Sequence, residues 1–213
     1  MSKKDFFTYQ AQTSPHPLAL EVSHAKGSYI YDQDGNAHLD FVAGVSACSL
    51  GHSHPKVVDA IKTQVDQYMH VMVYGEYVQR PAVEFSKLLA SHLPDDLNTT
   101  YLVNSGTEAM EGAIKLARRH TGRSQVIAAK NAYHGNTMGS LSLMGLEERK
   151  SAFRPLIPDI RSIQFNAEEE IQNITEKTAA VVLKPFRVGP VLFYRKTVIW
   201  KKCGNAATKW AHC

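Results

Sequence analysis

The sequence predicts an α/β protein in which a small N-terminal α+β lobe precedes part of a mostly parallel sheet with helices on both faces. Three observations carry that expectation. Short apolar or β-branched runs recur at 99–103, Gln125–Ala129, 161–165 and 179–183, and read as buried strands. Helical patterns lie between them, and strands that alternate with helices pack as a covered parallel sheet. Upstream, residues 27–41 read as a hairpin: Tyr29, Ile30 and Tyr31 in one strand, an Asp34-Gly35 turn, and 37–41 returning.

The helices follow from their punctuation. Pro55 suits the first position of one whose face is Val57, Val58, Ile61 and Val65. Pro81 starts another, expected to turn Phe85, Leu88 and Leu89 inward. The next has the clearest ends. Ser105 and Glu108 stand at capping-box spacing around the turn Ser105-Gly106-Thr107. Met110, Ala113, Ile114 and Ala117 then fall on one apolar face. Arg118, Arg119 and His120 close the helix on the negative end of its dipole, and Gly122 stands where a left-handed terminating residue belongs. A helix start with free N–H groups, two hydroxyls and a glycine is a ready anion site, phosphate above all. On local grounds alone, simple capping accounts for Ser-Gly-Thr at least as well.

Composition narrows the classes. At 213 residues and 44% hydrophobic content the chain can bury a core as one or two domains. It has no run of 18 apolar residues and no hydrophobic stretch behind Met1-Ser-Lys-Lys-Asp, so neither a membrane span nor a secretory signal is expected. Three scattered cysteines make no disulfide framework, and a cytoplasmic setting is the expectation. The net charge of +4 belongs to residues 184–213, which hold seven Lys or Arg and no Asp or Glu. Setting those seven apart leaves 17 basic against 20 acidic residues, a net of −3, so no nucleic-acid-binding body is expected. His52-Ser53-His54 resembles half a metal site, but no Cys, Asp or Glu nearby completes it, and no metal is expected. Asp32-Gln33-Asp34-Gly35 lacks the distal Glu of a calcium loop and reads as a turn.

The run Asn104-Ser-Gly-Thr-Glu-Ala-Met-Glu-Gly-Ala-Ile-Lys-Leu-Ala-Arg-Arg119, followed by Tyr133-His134-Gly135, resembles the class III aminotransferases. These are pyridoxal-phosphate (PLP) enzymes of fold type I, among them acetylornithine, ornithine and 4-aminobutyrate aminotransferases. Residues 31–41, and Gly44-Val45 leading to Gly51-His-Ser-His-Pro55, are similar to the same family, and the likeness runs from about residue 15 to Leu183. It implies a fold type I PLP-transferase cut short: 1–70 as the N-terminal small-domain segment, 71–183 as the first half of the PLP-binding large domain, and 184–213 as a tail outside the family pattern. It also implies site roles. Ser105, Gly106 and Thr107 would hold the cofactor phosphate through backbone amides and a hydroxyl, and Tyr133 would lie on the pyridine ring. His134 would orient ring or substrate, although bonding across its own turn explains it equally well. Gly44 and Val45 would line the substrate mouth, where packing is an equal explanation. The implied partners are an amino donor and a 2-oxo acid, 2-oxoglutarate foremost, within a homodimer, with no nucleic acid, membrane or metal.

The family's aspartate for the pyridine nitrogen and its Schiff-base lysine lie downstream of the position of Leu183, and neither motif occurs in 184–213. Lys184 stands where the family places a glutamate, and Lys115, Lys130 and Lys150 do not match the Schiff-base position, so no catalytic residue is nominated. Restoring one base before the Lys184 codon permits a family-like Glu-Thr-x-Gln-Gly-Gly, then Leu-Glu-Lys-Val-Arg in place of 199–203. The expectation is a frameshift after Leu183 and a chain that is inactive alone. The alternatives are a non-catalytic dimer partner of a full-length homologue, or a fragment with no function.

Overall fold

The computed structural model describes residues 3–72, 74–94, 96–184, 186–187, 193–194 and 201–206. The chain forms two compact units, Met1–Gln79 and Arg80–Cys213.

The first unit opens with helix α1 (Lys3–Tyr9), followed by three antiparallel strands in chain order, β1 (Val22–Lys26), β2 (Tyr29–Asp32) and β3 (Ala37–Leu39). The hairpin is the expected one, with Tyr31 opposite Ala37 and Tyr29 opposite Leu39. Its turn is built by one side chain. Asp32 Oδ1 accepts the N–H groups of Asp34 (3.0 Å) and Asn36 (2.8 Å), and its Oδ2 accepts His38 Nε2 at 2.9 Å. The His38 and Asn36 contacts hold the Asp32 carboxyl at about 2, so the turn keeps its acceptor ionised. Strand β1 escaped the periodicity because Val-Ser-His-Ala-Lys carries no clean alternation. Helix α2 (Pro55–Gln67) starts on its proline as expected. Three of the four residues of its apolar face are exposed, Ile61 at 58%, and Val58 is partly covered.

The second unit comprises α3 (Arg80–Ala90), α4 (Gly106–Thr121), β4 (Gln125–Ala129), α5 (Met138–Leu143), β5 (Ile160–Ile163), β6 (Thr178–Val182) and a short antiparallel pair, β7 (Phe186–Arg187) and β8 (Phe193–Tyr194). The sheet order is β5-β4-β6 and both pairings are parallel. All five residues of β4 are buried, as a central parallel strand requires. On one face Val126 and Ala128 pack with Ile114 of α4 and Leu143 of α5. On the other, Ile127 packs with Ile163, Ile174 and Cys203, the last on a helix at 201–206. Helical segments thus cover both faces.

Two expectations differ from the structure. Residues 99–103 form no strand, and Tyr101 is 81% exposed. A side-chain pattern supplies propensity but not the neighbouring strand whose N–H and C=O groups complete a ladder, and among the described residues there is none. Phe85 and Leu88 of α3 are exposed rather than turned inward; Leu89 alone of the three is partly covered.

The two kinds of apolar position should respond differently to truncation. Ile127→Ala is expected to cost about 2–5 kcal/mol of unfolding free energy in urea, and Ile61→Ala about 0.5 kcal/mol or less. A comparable loss at both sites would contradict the burial described.

Candidate cofactor site

Helix α4 begins on Ser105, whose backbone is extended (φ −153°, ψ 159°) and whose hydroxyl accepts the Glu108 N–H at 3.2 Å. The Glu108 carboxylate reaches back to the N–H of Asn104 at 2.7 Å, one residue before the cap. These contacts satisfy the third donor of the first turn and leave the N–H groups of Gly106 and Thr107 without an acceptor among the described residues. Apart from its chain neighbours and its own helix backbone, no atom of the described residues lies within 4 Å of the place where a Gly106 Cβ would sit. Two unspent donors, open space and the positive end of a sixteen-residue helix suit a phosphate dianion. At the other end Gly122 adopts φ 68° and returns its N–H to Arg118, as the sequence predicts.

The turn after β4 is brought against this helix start. Thr107 Oγ1 lies 2.7 Å from Thr137 Oγ1 and 2.6 Å from Ser140 Oγ, and it accepts the Thr137 N–H at 3.2 Å. Gly135 lies against the same hydroxyls: at φ 131° a Cβ there would sit 2.5 Å from Thr107 Oγ1. The structure therefore places Thr107 beside the turn of Tyr133, His134 and Gly135. Tyr133 is 44% exposed, leaving ring surface free to be covered. His134 is buried at 8% exposure, and its Nε2 has no partner among the described residues. Burial first, and then the charge of Lys184, pull its pKa down to about 4, so the ring is neutral near pH 7.

Gly44 and Val45 lie in the first unit, in a left-handed turn at 43–46 with φ of 48°, 60°, 57° and 66°. Three of those residues carry a Cβ, which costs roughly 1–2 kcal/mol each in this region. Asp40 holds the turn. Its Oδ1 accepts the N–H groups of Val42 (2.8 Å) and Ala43 (2.9 Å), and its Oδ2 accepts His52 Nε2 at 2.7 Å. The backbone N–H of Ala43 above all, then His52, lower the Asp40 pKa below the ordinary carboxylate range. His52, half of the His-Ser-His pair, is thus spent on Asp40.

Sequence reasoning passed over Glu111, Thr137 and Ser140. Glu111 Oε1 accepts the Thr137 hydroxyl at 2.5 Å and the N–H groups of Gly139 (2.7 Å) and Ser140 (3.2 Å). Burial works against its ionisation, but the hydrogen bonds from Thr137, Ser140 and Gly139 and the charge of Lys115 outweigh it, so its pKa is lowered. Glu111 sits in the helix motif with no periodic mark of its own, and its partners lie 26 to 29 residues away.

Residues 9–188 match the family described as aminotransferase class-III. Over 161 residues the chain is 40% identical to acetylornithine aminotransferase of Methanopyrus kandleri, covering 75% of this chain and 41% of that protein. It is 38% identical over 169 residues to the enzyme of the same name from Clostridium acetobutylicum, covering 76% and 43%. Among solved structures, ornithine aminotransferase from Toxoplasma gondii superposes with a TM-score of 0.82 at 25% identity, over 99% of this chain and 52% of that one. An adenosylmethionine-8-amino-7-oxononanoate aminotransferase from Methanocaldococcus jannaschii gives 0.87 at 24% identity, covering 97% and 52%, a likeness of fold. The chain spans about half the length of the relatives it matches.

The His134 environment has a measurable consequence. Its folded pKa, about 4, lies below the ordinary 6.5, so the unfolded chain takes up the proton first. The stability that neutral burial contributes is whole above pH 6.5 and is lost as pH falls toward 4. By NMR, the His134 ring is expected to titrate near 4, and Lys184→Glu should move that midpoint upward; a midpoint unmoved by the charge reversal would contradict the placement. Gly135→Ala should destabilise the turn by about 1–3 kcal/mol in a urea melt, from left-handed strain and collision with Thr107.

Proposed function

Because the chain belongs to the class III aminotransferase family, we propose that it carries the front half of a PLP-dependent transaminase site. The reaction moves an amino group from an amine or ω-amino acid to a 2-oxo acid, 2-oxoglutarate foremost. The observation that carries this reading is the pair of unspent N–H donors at Gly106 and Thr107, with open space at the Gly106 Cβ position and the Tyr133–Gly135 turn alongside.

PLP, when bound, supplies the electron sink for the exchange of nitrogen between donor and acceptor. The chain's own residues do the holding. The Gly106 and Thr107 amides grip the phosphate at the helix N-terminus, Ser105 caps the helix that presents them, and the face of Tyr133 covers the ring and excludes water. Neutral His134, next to Tyr133 in the chain, is assigned as an orienting group, able to donate or accept at Nε2 without adding charge. Gly44 and Val45 are assigned to the substrate mouth. The curated relatives above are acetylornithine aminotransferases, which supports a donor derived from an amino acid.

The 213 residues contain no lysine at the family's Schiff-base position and no aspartate for the pyridine nitrogen, and the family match ends at residue 188. The reading is therefore a chain that binds the cofactor but does not transaminate by itself, with a frameshift after Leu183 behind its basic tail. Equilibrium dialysis is expected to show PLP retained and displaced by inorganic phosphate. Incubation with acetylornithine and 2-oxoglutarate should form no glutamate, and glutamate formation would overturn the inactivity. Resequencing the gene from the Leu183 codon is expected to reveal a shifted frame that continues into an Asp-Glu motif and a later Lys; an uninterrupted frame as given would refute the frameshift.

A further inference from the structure

The same site shows how the phosphate grip is kept in shape, an inference that rests on the cofactor reading above. Each hydroxyl around Thr107 has an acceptor inside the cluster. The Thr137 hydroxyl donates to Glu111 Oε1, so toward Thr107 its oxygen can only accept. Thr107 also receives the Thr137 N–H, and its own proton has two inward acceptors, Thr137 Oγ1 at 2.7 Å and Ser140 Oγ at 2.6 Å. Ser140 Oγ in turn lies 3.1 Å from the Thr137 carbonyl, to which it donates. A phosphate dianion offers only acceptors, so it gains nothing from the Thr107 hydroxyl unless this knot opens.

One carboxylate oxygen fixes the whole arrangement. Glu111 Oε1 collects three donors from the segment that follows the Tyr133–Gly135 turn. Glycine at 139 leaves room for this, since a Cβ there would collide with the Glu111 carboxylate where it now lies. We propose that Glu111 is a positioning residue for the cofactor phosphate: by ordering the Thr137, Thr107 and Ser140 hydroxyls it seats the turn on the helix start and leaves the phosphate to the Gly106 and Thr107 amides. It acts through Thr137 and Thr107 and touches no ligand itself.

Dissociation constants of the full chain for PLP and for inorganic phosphate, with far-UV circular dichroism as a check on folding, test this. Glu111→Gln keeps an oxygen where the three donors converge, and affinity should stay within about twofold of the unaltered chain. Glu111→Leu removes it at similar volume and should weaken both ligands about tenfold. A carboxylate acting only as a like charge near the phosphate gives the opposite sign, since Gln and Leu would then tighten binding alike. Equal effects of Gln and Leu, in either direction, overturn the proposal. Should the Leu variant fail to fold, Thr137→Val decides: weaker binding of both ligands supports the positioning role, and unchanged binding overturns it. Failure of the unaltered chain to bind either ligand overturns the site reading and this proposal with it, whereas binding that survives Glu111→Leu overturns the positioning role alone.

Discussion

Five consecutive buried residues in one strand, Gln125–Ala129, set the terms for everything in the second unit. With both faces and both edges occupied, β4 has no polar freedom, so its neighbours must satisfy it completely. The parallel ladders to β5 and β6 do that for the backbone, and Thr178 donates to the buried Gln125 side chain at 2.8 Å. Because the strand cannot shift, the loop leaving it starts from a fixed point. That loop is tied again at once: Asn131 donates to the Gly145 carbonyl (3.1 Å) and Gly145 to that of Ala132 (2.9 Å). Tyr133 and His134 are therefore presented by backbone held on both sides, against a helix whose apolar face, through Ile114, packs on the same strand.

How much of this was legible depended on how local the cause was. The strand 125–129, the capped helix at Ser105 and its left-handed end at Gly122 rest on adjacent residues, and their side-chain types sufficed. Residues 99–103 carry the same kind of signal and make no strand, because a ladder needs a partner that no local pattern announces. The stripes of α2 and α3 are equally sound as helix signals, but what covers a stripe is a property of the rest of the protein. Within the site, Ser105, Gly106 and Thr107 stood out as a capped helix start that could also take an anion, and Tyr133 only through the family resemblance. Glu111, Thr137 and Ser140 did not, since their meaning appears only when segments almost thirty residues apart touch. Asp40 was silent for the same reason: its partner His52 lies 12 residues on.

Charge at position 184 shows how one residue can reset a site without entering it. A lysine there adds to the burial of His134 in keeping the ring uncharged, whereas an acidic residue would favour the imidazolium.

None of the described residues in the first unit is buried; the buried hydrophobic residues described, from Ile114 onward, belong to the second. The antiparallel strands and α2 are held by ladders, by the Asp32 turn and by the Asp40 latch, without the apolar burial that ordinarily supplies most of a domain's cooperativity. Two cooperative units of unequal strength are therefore the expectation for the chain's unfolding. Amide protons of β1–β3 should exchange with solvent through openings that leave β4 intact. A single melting temperature would then describe the sheet around Ile127 and not the chain as a whole.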